Sequence, residues 1–193
     1  MEKQEKQQRI LEAALPIFAQ YGYKKTTVED VAARVQMTKS NIYFYVKNKR
    51  ALYEKAVGHA LEKWRDSIAG EIANVDGAKE KFVIAAQRSF SYLAEHPDLR
   101  AILIQDPGIF TLSREEDRFY EVNMGAMRIL KDIIQQGVNE GTFAPVDVDH
   151  VTEFLFSVYI MFLIKAYVKS EGSSVARMYE EGVGLILRGL CRA

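Results

Sequence analysis

Apolar side chains recur along this chain at spacings of three and four, and no alternating run framed by an Asn-Gly or Asp-Gly turn interrupts them. A strand buries every second residue and a helix every third or fourth, so the pattern predicts an all-α fold. The first predicted helix runs from about Lys3 to Tyr21, with Ile10, Ala14, Ile17, Phe18 and Tyr21 on one face, Pro16 as a bend and Gly22 as its stop. Thr26 or Thr27 caps a short second helix, each with an acid three residues on, and Thr38 caps a third. Asn48 caps a fourth, longer helix that extends to about Gly70. Further helices are predicted over Asp76 to Glu95, Pro97 to about Gln105, Ser113 to Asn139 with Gly141 as the stop, Val148 to Lys169 and Ser173 to Arg192.

The formal net charge is zero, but it is unevenly spread. Residues 1–50 carry ten Lys or Arg against five Asp or Glu, and residues 51–193 carry sixteen against twenty-one. No acid stands between Asp30 and Glu54, whereas Arg34, Lys39, Lys47, Lys49 and Arg50 all do, a local cationic patch of the kind that meets phosphate. Inside it, VEDVAARVQMTKSNIYFYV has the spacing of a helix-turn-helix: Ala32 is small where two helices cross, and Val31, Val35, Met37 and Ile42 form the seam. The second helix of the pair then turns Lys39, Ser40, Asn41, Tyr43 and Tyr45 outward. An ammonium suits phosphate, an amide suits base edges, and a phenol can bond phosphate or lie against a thymine methyl. With the cap residue Thr38 these are the candidate DNA-reading side chains.

The run ILEAALPIFAQYGYKKTTVEDVAARVQMTKSNIYFYVKNKRALYEKAV resembles the N-terminal domain of the tetracycline-repressor family. Its hallmarks are Ala13 with Phe18 and Gly22, Thr27, Asp30 with Ala32, and the block Ile42-Tyr43-Phe44-Tyr45 followed by Lys49 and Leu52. The resemblance implies a three-helix DNA-binding domain over 1–47 and a larger helical effector-binding and dimerisation domain over 48–193. It further implies that Thr27 and Lys49 hold phosphates from helix N-termini, that Lys39, Ser40, Asn41 and Tyr43 face bases or adjacent phosphates, and that Tyr45 meets a phosphate. Gln36 departs from the family's usual turn glycine, which implies a side chain in the left-handed region at a cost of about 1 kcal/mol. Val46 and Arg50 replace the commoner Phe and Glu.

By the same resemblance, the last two long helices pair with their mates across a dimer, with Phe154, Leu155, Val158 and Phe162 on one face and Met178, Gly182, Leu185 and Gly189 on the other. An effector pocket is expected among the middle helices, lined by some of Trp64, Phe90, Ile104, Phe110, Phe119, Met124 and Met127, with Asn123, Gln87 or Gln105 to orient a ligand. The implied partners are a palindromic double-stranded operator, a second copy of the chain and a small, largely apolar effector.

An enzyme reading finds no catalytic group with a positioned partner. His59, His96 and His150 are far apart, and no HExxH, GxSxG or P-loop pattern occurs. Asp147, Asp149 and His150 read as an acid-rich helix start rather than a metal site, and no metal or cofactor is expected. Cys191, the single cysteine, excludes an intrachain disulfide and suits a cytoplasmic protein. The N-terminus lacks a signal-peptide core. The apolar run Phe154 to Ile164 is too short for the roughly 20 residues of a membrane span, so no membrane association is expected.

Overall fold

The computed structural model describes residues 2–111, 115–168 and 173–192. Nine α-helices lie among them: α1 (Glu2–Lys25), α2 (Val28–Arg34), α3 (Lys39–Tyr43), α4 (Lys49–Ile72), α5 (Ala78–Glu95), α6 (Pro97–Gln105), α7 (Tyr120–Glu140), α8 (Val148–Leu163) and α9 (Ser173–Leu190). A 3-10 turn at Pro107–Ile109 and a π turn at Ile164–Val168 complete the helical elements, and the described residues hold one isolated β-bridge, Phe143 with Cys191.

The chain forms two compact units. One joins Met1–Lys63 to Leu93–Asp106, and the other joins Trp64–Tyr92 to Pro107–Ala193. The first is therefore larger than residues 1–47, because the front half of α4 and all of α6 pack with α1. Leu52, Ala56 and Val57 of α4 are buried there with Ile10, Ala14 and Phe18 of α1 and with Leu99, Ile102 and Leu103 of α6. The ring of Tyr53 meets Phe18 edge-on at 5.1 Å while its hydroxyl donates to Asp106 at 2.9 Å.

In α1 the backbone departs from helical geometry at Gly22 (φ 78°) rather than at Pro16, and a further turn follows to Lys25. Glycine alone takes that φ without steric cost. Thr27 is the cap of α2. Thr26 is buried, its hydroxyl donating to the Gly22 carbonyl at 2.9 Å.

The second unit is built on Phe82, Ile133, Ile134, Phe143, Leu155 and Leu190. Here α7 starts later than its pattern predicts. The Asp117 carboxylate accepts from the Phe119 N–H at 2.8 Å and from the Asn123 amide at 2.9 Å, a local turn that competes with helix; Ser113 lies outside the described residues. Gly141 ends α7 in the left-handed region (φ 74°) as expected. After Leu163, α8 passes into the π turn instead of continuing as α-helix, and Lys169 lies outside the described residues.

Candidate nucleic-acid interface and an apolar cavity

The surface that α2 and α3 present is set by three local devices. At the start of α2 the Thr27 oxygen accepts from the Asp30 N–H at 3.2 Å, and the Thr27 hydroxyl and N–H both reach the Asp30 carboxylate, at 2.8 and 2.7 Å. Those donors hold Asp30 below the usual carboxylate range. Between the helices Gln36 takes φ 57°, and the Met37 N–H closes the turn on the Ala32 carbonyl at 2.8 Å. Thr38 then caps α3 by accepting from the Asn41 N–H at 3.2 Å.

Ile42 and Val46 are buried four residues apart, which clamps α3 against its neighbours and turns the opposite face to solvent. Thr38, Lys39, Ser40, Asn41 and Tyr43 are all exposed on it, and Tyr45 is half-buried. Phe44 stands among them at 77% exposure. Sequence reasoning treats it only as part of a motif, although the four-residue interval between Ile42 and Val46 already points 43 and 44 outward.

Two of the candidate cations have partners within the protein. Lys39 Nζ lies 2.6 Å from Glu29 Oε1, each side chain about half exposed, and that contact holds Lys39 above and Glu29 below their ordinary values. Lys49 Nζ donates to the Lys24 carbonyl at 3.1 Å and sits 4.6 Å above the Tyr23 ring, tying the first turn of α4 to the end of α1. Asn48 caps α4 by accepting from the Ala51 N–H at 2.8 Å.

In the second unit a cavity of about 140 Å³ lies among α5, α7, α8 and α9, with Arg65 and Ile68 of α4 on its wall. Its lining is apolar apart from Arg65, Ser89, Tyr159 and Tyr179 among the described residues. The Tyr159 and Tyr179 hydroxyls are spent on carbonyls of α5, donating to Ser89 and Ala86 at 3.1 Å each. Burial pushes both phenols above their usual range, so they remain neutral donors.

The family model "Bacterial regulatory proteins, tetR family" matches residues 10–56, the stretch that contains these devices. Those residues are a TetR-family DNA-binding domain. The chain is a DNA-binding transcriptional regulator. The HTH-type transcriptional repressor KstR2 of Mycolicibacterium smegmatis is 27% identical over 148 residues, covering 76% of this chain and 72% of that protein. Two solved structures share the fold: the FadR regulator of Bacillus subtilis in complex with stearoyl-CoA (TM-score 0.76, 20% identical, 94% of this chain and 98% of the other), and a regulator from Saccharomonospora viridis in complex with choline (TM-score 0.78, 19% identical, 98% and 100%).

In this regulator none of the ten residues expected to line the pocket or orient a ligand in it lines the cavity just described. Trp64 is buried and stacked on Tyr92 at 5.6 Å, Phe90 stacks on Tyr179 at 4.6 Å, and Phe119 is buried. Phe110, Asn123, Met124 and Met127 are half-buried, and Ile104 is exposed in the other unit. Of the residues expected at the dimer face, Leu155, Val158, Phe162 and Gly182 line the cavity, whereas Phe154, Met178 and Leu185 are exposed and a Cβ added at Gly189 would point into open space. Asp147 caps α8, accepting from the His150 N–H at 3.1 Å, and Asp149 pairs with Lys131. No described helix is long and apolar enough to cross a membrane.

Proposed function

We propose that this regulator occupies a palindromic operator as a homodimer in the cytoplasm, represses there, and leaves when a small, largely apolar effector enters the cavity of its second unit. The observation that carries the DNA reading is the outward face of α3. Lys39, Ser40, Asn41, Tyr43 and Phe44 are held at one orientation by the Gln36 turn and the Ile42–Val46 clamp, within a stretch free of acids from 31 to 53. Asn41 and Tyr43 face bases and Phe44 offers an apolar face to thymine methyls or sugars, while Thr27, Thr38, Ser40, Tyr45 and Lys49 position the helix on phosphates. Lys39 exchanges Glu29 for a phosphate.

A single helix-turn-helix reads one half-site, and a second copy supplies the other. Support for pairing comes from α8 and α9, where Phe154 and Met161, and likewise Met178 and Leu185, stand seven residues apart on one helix face and are all exposed. Repression agrees with the name of the KstR2 relative, and the stearoyl chain bound by the FadR neighbour agrees with an apolar effector. The effector must favour the DNA-incompetent state, since equal affinity for both states shifts nothing.

The test is selection of genomic fragments by the purified protein, followed by footprinting across a salt series. Protection of two half-sites about one helical turn apart, weakening steeply with salt, is the expected result. No protected site, or binding that ignores salt, overturns the reading. Leu185→Glu puts a charge on the pairing face and should shift the protein from dimer to monomer by light scattering and abolish two-half-site protection.

A further inference from the structure

The apolar cavity carries one charged group among its described lining residues, the guanidinium of Arg65, and no carboxylate. We propose that Arg65 receives the head group of the ligand, which is therefore an amphiphile with an apolar chain in the cavity and an anionic end, carboxylate or phosphate, on the guanidinium. The inference rests on the effector reading above and specifies its chemistry.

Three observations converge on it. The two tyrosine hydroxyls on the wall already donate to α5, which leaves Arg65 as the strong donor set facing the space. The Arg65 side chain is about one quarter exposed, so it stands where the cavity meets solvent rather than in its floor. It also lies against Gly125 of α7, where a Cβ would come 2.9 Å from its Cδ and 3.0 Å from its Nη1. A glycine inside a helix weakens it, and this one clears the path of the guanidinium.

Arg65 Nε and Nη2 are held by Asp66 Oδ1 at 2.8 and 2.7 Å. Asp66 is the adjacent residue and mostly exposed, so an incoming anion competes with a weak, solvated partner. A guanidinium can hold a carboxylate or phosphate through two parallel bonds, whereas an anion in this cavity without it would be desolvated and unpaired. A cationic head meets the opposite situation. The fold alone does not choose between them, since its neighbours hold stearoyl-CoA in one case and choline in another.

The test uses the full chain and four probes with the same apolar tail: octanoate, octyl phosphate, octanol and octyltrimethylammonium. Titration calorimetry, with Trp64 emission as a second readout, is expected to rank both anions about tenfold or more above octanol. The relative strength of octanoate and octyl phosphate tells which anion the site prefers. Arg65→Met keeps an apolar stem and should bring the anions down to octanol while leaving octanol within about twofold; Arg65→Lys should keep part of the preference, and Asp66→Asn should raise it. Equal binding of octanol and the anions by the unaltered protein, or preference for the trimethylammonium, overturns this inference and leaves the apolar-effector reading standing. If none of the four binds, the effector reading fails and takes the inference with it.

Discussion

Gly137 near the end of α7 offers a substitution whose sign depends on which level of structure decides. By helix propensity alone, Gly137→Ala should stabilise the protein by up to about 1 kcal/mol. In the folded chain an added Cβ would stand 2.1 Å from Phe143 Cδ2, 2.5 Å from Cε2 and 2.6 Å from Cγ. Carbon atoms rest at roughly 3.5 to 4.0 Å, so the ring would have to retreat by well over 1 Å. It has nowhere to go. Phe143 is fully buried, set edge-on to Phe82, and its backbone segment is pinned on both sides: the Phe143 N–H donates to the Gly137 carbonyl at 2.9 Å, the Ala144 N–H to Leu190 at 2.8 Å and the Arg192 N–H to Thr142 at 3.0 Å. Overpacking costs about 1 to 3 kcal/mol and a clash this close belongs at the upper end, so Gly137→Ala should lower unfolding stability by about 2 kcal/mol once a propensity gain of about 1 kcal/mol is offset. Urea unfolding of the double-mutant cycle measures it. Phe143→Ala alone should cost about 3 to 5 kcal/mol, and in that background Gly137→Ala should be neutral or stabilising. Strictly additive effects, or a Gly137→Ala protein more stable than the parent, would refute the reasoning.

Lys49→Ala should weaken binding equally on matched and mismatched operators and flatten the slope of log affinity against log salt by about 0.9, as loss of one phosphate contact does, while Asn41→Ala should alter base preference. Because Lys49 also holds the end of α1, the same substitution should lower the melting temperature; an unchanged salt slope would assign it to the fold alone. Gln36→Gly should stabilise the protein slightly, the relief of left-handed strain exceeding the entropy that glycine adds to the unfolded chain, whereas Gln36→Val should destabilise it, as thermal unfolding can show. The His150 imidazole, 2.8 Å from Asp147 Oδ2, is held above its usual value chiefly by that hydrogen bond and charge, so NMR titration should show it titrating above about 6.5 and falling back in Asp147→Asn. Its contribution to stability is complete below the unfolded-state value and is lost as pH rises through the raised folded one. That of Asp147, whose value is lowered, is lost in acid as pH falls.

What the residues determine by themselves lies within a few positions of each other along the chain. The Thr27–Asp30 box, the Thr38, Asn48 and Asp147 caps, the left-handed Gln36 and the Gly141 stop are all interactions within a turn, so local chemistry suffices to read them. The exposed face of α3 is legible for the same reason, from the interval between Ile42 and Val46. The cavity is not. From Phe154 to Leu163, α8 is apolar nearly all round, so periodicity cannot say which side meets solvent, which meets another helix and which borders empty space. Only the packing of α5, α7 and α9 around it turns Leu155, Val158 and Phe162 to the cavity and leaves Phe154 and Met161 exposed. Likewise nothing near Arg65 in the chain marks it as the charge on an apolar wall, because the glycine that makes room for it lies sixty residues further on, at position 125. Helices follow from neighbours in sequence, whereas a cavity is the space that distant helices fail to fill, and its chemistry exists only once they have packed.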